Sequence, residues 1–258
     1  LEAQSLPLAG GNFAPEGERF SGWTAQEGVG ENVFADPTAG APGGLAVRME
    51  TGKQAGLLGQ VMRVRPFRQY HVRVLAKTQD VALMEDPTIV ARGIGADGTM
   101  RRLSYAEIRS ARTQDWTEQH MVFNSLEYDQ VLIGASMGNE GGGGTVWWAD
   151  MRLEETGLMN VLRRAGCPIQ VRAEDGTEFV EERDFAPIID AQLDPDDVYH
   201  TPPTIQLTQG SRIREGDRVF ISYYHPVFIY HDQVVCCLSD PKVYEIAKAQ
   251  VERMNDLL

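Results

Sequence analysis

From Leu45 onward the chain alternates apolar and polar positions. LAVRME, QVMRVRP and YHVRVLAKT all repeat with period two, the pattern of a strand with one face buried and one wet. Within 60–65 the apolar set is Val61, Met62 and Val64; within 70–75 it is Tyr70, Val72 and Val74, with His71, Arg73 and the apolar Leu75 opposite. Pro66 separates these segments, as a turn or edge proline does. The pattern predicts further strands at 88–94, 116–123, 131–135 and 146–153, with a hairpin turn at Asp97-Gly98. Residues 1–44 are rich in glycine and read as loop, and 141–144 is a run of glycine alone. About eight or more short strands divided by turn signals predict an antiparallel sandwich or jelly roll. Its expected core holds Val61, Val72, Val74, Phe123, Val146 and Leu153.

After Leu158 the character changes. Strands are expected at 168–172, 204–208, 218–224 and 233–238, with tight turns at Asp175-Gly176 and at REGD, 214–217. An acidic, proline-rich loop, DAQLDPDDVYHTPP, lies between those turns. Asp240-Pro241 opens the one clear helix, with Asp as N-cap and Pro at the first helical position. Val243, Ile246, Ala247, Val251, Met254 and Leu258 share one face of it. The fold class expected is mainly β: an antiparallel jelly roll over 1–157, then a smaller strand-rich region over 158–258 ending in that helix. The apolar stripe is expected to be covered, by a following domain or by a second copy of the chain.

Composition narrows the partners. A formal net charge of −13 repels phosphate backbones, so nucleic acid is excluded. No apolar run is long enough to span a membrane, and 1–11 lacks the basic start and apolar stretch of a leader. The cysteines, Cys167, Cys236 and Cys237, are odd in number and two are adjacent. They form neither a disulfide framework nor a CxxC site and read as buried thiols. There is no GxSxG, no P-loop and no dinucleotide fingerprint; GIGADG precedes no helix and is a turn. His225 and His231 lack zinc spacing. Asp184, Glu181, Glu182, Asp194, Asp196 and Asp197 fall in loop charge runs and are expected to be solvated.

Several ordered elements resemble the carbohydrate-binding jelly rolls of the family 4/9 type. They are GGNFAPEGERFSGW, GGLAVRME, QVMRVRPFRQYHVRVLAKT, DWTEQHMVFNS and VWWADMRLEE, together covering about residues 8–156. The resemblance implies glycan recognition by exposed aromatics that stack on sugar faces. Trp23, Trp116, Trp147, Trp148, Tyr105 and Tyr128 are the candidates. Trp147 and Trp148 are adjacent in one strand and must face opposite ways. Met151 and Leu153 share the parity of Trp147, so one indole joins the core and the other faces away. The resemblance also implies a structural calcium near the opening loop and the closing strand. Ala14 and Ala149 stand where the family often has acids, which leaves Asp150, Glu16 and Asp36 as ligands. SYYHP and CCLSDPKVYE, in the second region, resemble the start of the barrel domain of bacterial glycoside-hydrolase-like proteins. The catalytic acids of such a barrel would follow Leu258, so this chain is expected to turn over no substrate itself; the alternatives are a structural or interdomain jelly roll that binds no sugar and a complete small glycoside hydrolase. The implied partner is a poly- or oligosaccharide, the implied address extracellular or periplasmic.

Overall fold

The structure, a computed structural model, describes residues 4–82, 87–108, 112–138, 143–194 and 199–225, with Glu245, Lys248 and Ala249. The chain divides into two compact units, Leu1–Gly157 and Leu158–Leu258.

In the first unit the strands are β1 (Gln4–Leu6), β2 (Pro15–Glu16), β3 (Arg19–Phe20), β4 (Ala25–Glu27), β5 (Val33–Asp36), β6 (Ala46–Glu50), β7 (Gly56–Arg63), β8 (Gln69–Gln79), β9 (Thr88–Ile94), β10 (Met100–Glu107), β11 (Gln114–Asn124), β12 (Gln130–Met137) and β13 (Thr145–Thr156). One sheet runs β11-β8-β13-β6-β5, with β1 also on β13; the other runs β10-β9-β12-β7-β4. All of these pairings are antiparallel. From β6 to β13 the chain passes back and forth between the sheets, staying in one only for the β9–β10 hairpin. That is the wrap of a jelly roll. Among the described residues of 8–156 there is no helix.

Alternation builds the core. Tyr70, Val72, Val74 and Ala76 of β8 face Leu58, Met62, Ile89, Ala91, Val131 and Ile133 of the other sheet. Phe123, Val146 and Leu153 join them as expected. Val61 does not: it is 36% exposed. Leu58, Met62 and Val64 hold the inward parity, so Val61 must point out.

The opening glycines have a steric reason. A Cβ on Gly10 would lie 2.4 Å from the Trp23 indole nitrogen, which donates to the Gly10 carbonyl at 2.8 Å. Trp23 stacks on Phe13 at 4.9 Å, and both are core residues. Gly11 accepts from the Met151 amide at 2.8 Å, so the opening loop and the closing strand do meet.

They meet at a bulge. The β13–β8 register shifts between Ala149 and Arg152, and Asp150 has φ 47°. One extra residue flips side-chain parity. Val146 and Trp148 therefore share the core with Met151 and Leu153, and Trp147 is the outward member. Simple alternation assigns Met151 and Leu153 to the Trp147 face; the bulge reverses that.

The second unit has β14 (Gln170–Ala173), β15 (Glu178–Phe179) and β16 (Val219–Ser222), ordered β15-β14-β16. Asp175-Gly176 closes the β14–β15 hairpin, with Gly176 at φ 86° and the Thr177 amide on the Asp175 carboxylate. The Arg214–Asp217 turn also forms, its amides and the Asp217 side chain cross-bonded. The strand expected at 204–208 reduces to one bridge, Phe185 with Leu207. Val161, Val171, Phe185, Ile188 and Ile213 make a small core. Asp184, fully buried, accepts from the Val180 and Arg212 amides and from the Arg183 and Arg212 guanidiniums. Asp190 and His200 form a second buried pair at 2.9 Å. Cys167 is a buried thiol, as expected. The strand expected at 233–238, with Cys236 and Cys237, lies outside the described residues. So does the helix expected at 240–258, apart from the three isolated positions named above.

Candidate functional site

The outward face of the β11-β8-β13-β6-β5 sheet carries a row of side chains set by register. Phe34 lies opposite Arg48, Arg48 opposite Trp147, and Trp147 opposite Lys77. On β11 the pairing jumps from Gln114↔Thr78 to Thr117↔Ala76, so Asp115 and Trp116 bulge together beside Lys77. Aromatic and cationic side chains thus alternate across the sheet: Phe34, Arg48, Trp147, Lys77, Trp116. The Arg48 guanidinium lies 5.2 Å from the Phe34 ring centre, and Lys77 Nζ lies 5.7 Å from that of Trp147. Both contacts are within cation–π range. Carboxylates flank the cations, Glu50 at 3.1 Å from Arg48 and Asp115 at 4.0 Å from Lys77.

Trp147 is held by its edge. Its indole N–H donates to Asp36 Oδ2 at 2.8 Å. Asp36 Oδ1 accepts from the Thr38 amide at 2.9 Å and the Thr38 hydroxyl at 2.8 Å. Burial alone would raise the Asp36 pKa, but the bonds from Trp147 and Thr38 outweigh it and hold the carboxyl below its ordinary value. A charge-assisted bond fixes the indole plane and leaves its faces to pack or bind.

The connection 37–45, between β5 and β6, crosses this face as a strap. The Ala39 carbonyl accepts from the Trp116 indole N–H at 3.3 Å, although β5 and β11 are opposite edges of the sheet. Four strand spacings are about 19 Å, whereas the three residues from Asp36 to Ala39 reach about 11 Å. Trp116 therefore leans inward to meet the strap. Ala46 and Ala149 carry the outward parity, yet both are buried. Neither belongs to the core cluster. Gly40, Gly43 and Gly44, with φ of 71°, 96° and 86°, turn the strap back toward β6.

Beyond the strap, three strands carry a polar chain. Glu154 Oε1 lies 2.8 Å from His71 Nδ1, and His71 Nε2 lies 2.9 Å from His120 Nδ1. His120 Nε2 is 3.4 Å from Glu118. Arg73 bridges Glu118 at 3.0 Å and Asp150 at 3.3 Å. Burial pushes the His71 pKa down to about 4, against the pull of the Glu154 bond and with the help of His120 and Arg73. Paired carboxylates about 5–10 Å apart are the machinery of glycoside hydrolysis. Here a guanidinium occupies the gap between Glu118 and Asp150, where a glycosidic oxygen would need to sit.

The structure separates the residues singled out in the sequence. Trp147 and Trp116 are half-buried on the outward face. Trp23 and Trp148 are core residues, their ring faces taken by neighbouring side chains, so they do not offer a sugar platform. Tyr128 is half-buried and covers Gly93, where a Cβ would lie 2.4 Å from its ring. It fills the place of the missing side chain. Tyr105 lies on the other sheet, with Arg102 over its ring at 5.0 Å. The expected metal ligands do not converge. Asp150 is gripped by Arg152, at 2.9 and 2.8 Å, and by Arg73. Two guanidiniums thus contact its carboxylate. Asp36 is spent on Trp147 and Thr38, and Glu16 is exposed on the β2–β3 hairpin. Among the described residues no three acidic, histidine or cysteine side chains are grouped to hold a metal ion. Sequence reading missed Phe34, Arg48, Lys77 and the strap. Their cue was the outward parity of Arg48 and Lys77, legible only once strands are paired.

No family model matches the chain, and no curated protein matches it. Solved structures similar to it include carbohydrate-binding modules. One is a family 16 carbohydrate-binding module, 16% identical, with 50% of this chain and 89% of that chain covered and a TM-score of 0.37. A second is TmCBM61 in complex with β-1,4-galactotriose, 18% identical, covering 57% and 95%, TM-score 0.36. A third is the module CBM6cm-2 of Cellvibrio mixtus lichenase 5A in complex with cellotriose, 16% identical, covering 53% and 93%, TM-score 0.37.

Proposed function

We propose that the first unit recognises a saccharide on the outward face of the β11-β8-β13-β6-β5 sheet, with Trp147 as the stacking platform. The observation that carries this reading is the setting of Trp147. It is an outward indole, locked by Asp36 through its edge and flanked by Lys77 and Arg48. A sugar presents an apolar C–H face and a rim of hydroxyls. An oriented aromatic face ringed by carboxylates and cations meets both needs.

The test is calorimetry and affinity electrophoresis with β-1,4-galactotriose, cellotriose and xylan, the saccharides bound by the similar structures or named with them. Binding by at least one, weakened tenfold or more in Trp147→Ala and retained in Tyr105→Ala, supports the reading. Binding that survives Trp147→Ala moves the site elsewhere. The second unit is proposed as the start of a hydrolase-like domain, on the resemblance of its SYYHP and CCLSDPKVYE segments alone.

A further inference from the structure

The strap also bears on which part of a glycan this face admits. This inference rests on the saccharide reading above. Two indole N–H groups tie the strap down: that of Trp147 to Asp36 at 2.8 Å, where the strap leaves β5, and that of Trp116, leaning in from the far edge of the sheet, to the Ala39 carbonyl at 3.3 Å. Between those ties the buried, outward-pointing Ala46 and Ala149 mark where it lies against the sheet. The strap therefore divides the outward face. On one side are Phe34, Arg48, Trp147 and Lys77; on the other are Arg73, His71, His120 and Asp150. A chain lying along the strands across the whole face would have to pass through the strap. A chain lying across the strands meets the leaning Trp116 and its Ala39 tie at the β11 edge. The aromatic half is thus walled on two sides.

We propose that this half is a blind seat, which takes the terminal residues of a glycan or a short oligosaccharide and excludes the interior of a polymer. The bonds holding the wall are unequal. Trp147–Asp36 is short and charge-assisted, while Trp116–Ala39 is long and neutral, so Trp116 is the tie whose loss opens the seat.

The experiment uses the full chain and β-1,4-linked glucan, galactan and xylan. Each is supplied as intact polymer and as the same mass hydrolysed to oligosaccharides, and binding is read by competition in affinity gels and by calorimetric stoichiometry. A seat for ends predicts that hydrolysis raises competing power in proportion to the number of ends created, and that each polymer molecule binds at its ends only. Trp116→Phe keeps a ring and loses the N–H, and the intact polymer then competes within about twofold of the hydrolysate. Equal competition by polymer and hydrolysate in the unaltered chain, with many sites per polymer molecule, overturns the blind seat and leaves saccharide recognition standing. An unchanged ratio in Trp116→Phe overturns the assignment of that tie. No binding by any glycan in either form overturns both readings together.

Discussion

His71 Nε2 and His120 Nδ1 lie 2.9 Å apart, in rings stacked at 5.1 Å, so a single proton between them serves both. A second proton would set two N–H donors against each other. Burial is the larger cause, and with His120 it keeps His71 neutral, its pKa lowered from 6.5 to about 4.

Stability should therefore depend on pH in a defined window. Below pH 6.5 the unfolded chain binds a proton at His71 that the folded chain refuses until about pH 4. Stability falls as pH drops through that window and the loss levels off below it, amounting to about 3 kcal/mol. Urea midpoints taken from pH 7 to pH 4 should show this slope, and His71→Gln should flatten it. A midpoint unchanged over the window would contradict the buried neutral histidine.

Neighbouring tryptophans should respond unequally to truncation. Trp148 is fully buried, so Trp148→Ala should cost about 3–5 kcal/mol through the cavity it leaves. Trp147→Ala should cost about 1–2 kcal/mol, chiefly the bond to Asp36. Its larger effect should be on saccharide affinity. Because the Trp148 indole N–H is buried without a partner among the described residues, Trp148→Phe should be far milder than Trp148→Ala. Denaturant titration of the three variants ranks them directly.

Calcium should not stabilise the first unit. Asp150 is engaged by Arg73 and Arg152 and Asp36 by Trp147, and among the described residues no three acidic, histidine or cysteine side chains are grouped for a cation, which requires six to eight oxygens. Thermal midpoints of chelator-treated protein with and without millimolar calcium should coincide. A ligand bound only by the native state would raise them.

In the second unit Asp184 is held far below the ordinary carboxylate range, first by its bonds from Arg212 and then by those of Val180 and Arg183, against the cost of burial. Its charge supports the unit above the unfolded carboxylate pKa, and that support fades as pH falls. Asp184→Asn should loosen this unit selectively, with faster proteolysis after residue 158 and an unchanged first unit. Equal protection of both units in the variant would show that the Arg212–Asp184 clasp is dispensable.

Period-two patterning and turn chemistry determine most of the strands from β6 to β13, the Asp97-Gly98 and Asp175-Gly176 hairpins and most of the first core, because burial on one face of a strand repeats locally in sequence; β1 to β5 lie in the glycine-rich stretch that reads as loop. The order of strands in each sheet, the burial of Trp23 against Phe13, and the row Phe34, Arg48, Trp147, Lys77, Trp116 were decided only by pairing between distant segments. The bulge at Asp150 shows why. Alternation alone puts Met151 and Leu153 on the Trp147 face; a single residue in left-handed backbone puts them with Trp148 instead. That extra residue is held by the Gly11 carbonyl on the Met151 amide and by two arginines on its carboxylate. These contacts span long sequence distances, and they select which tryptophan faces solvent.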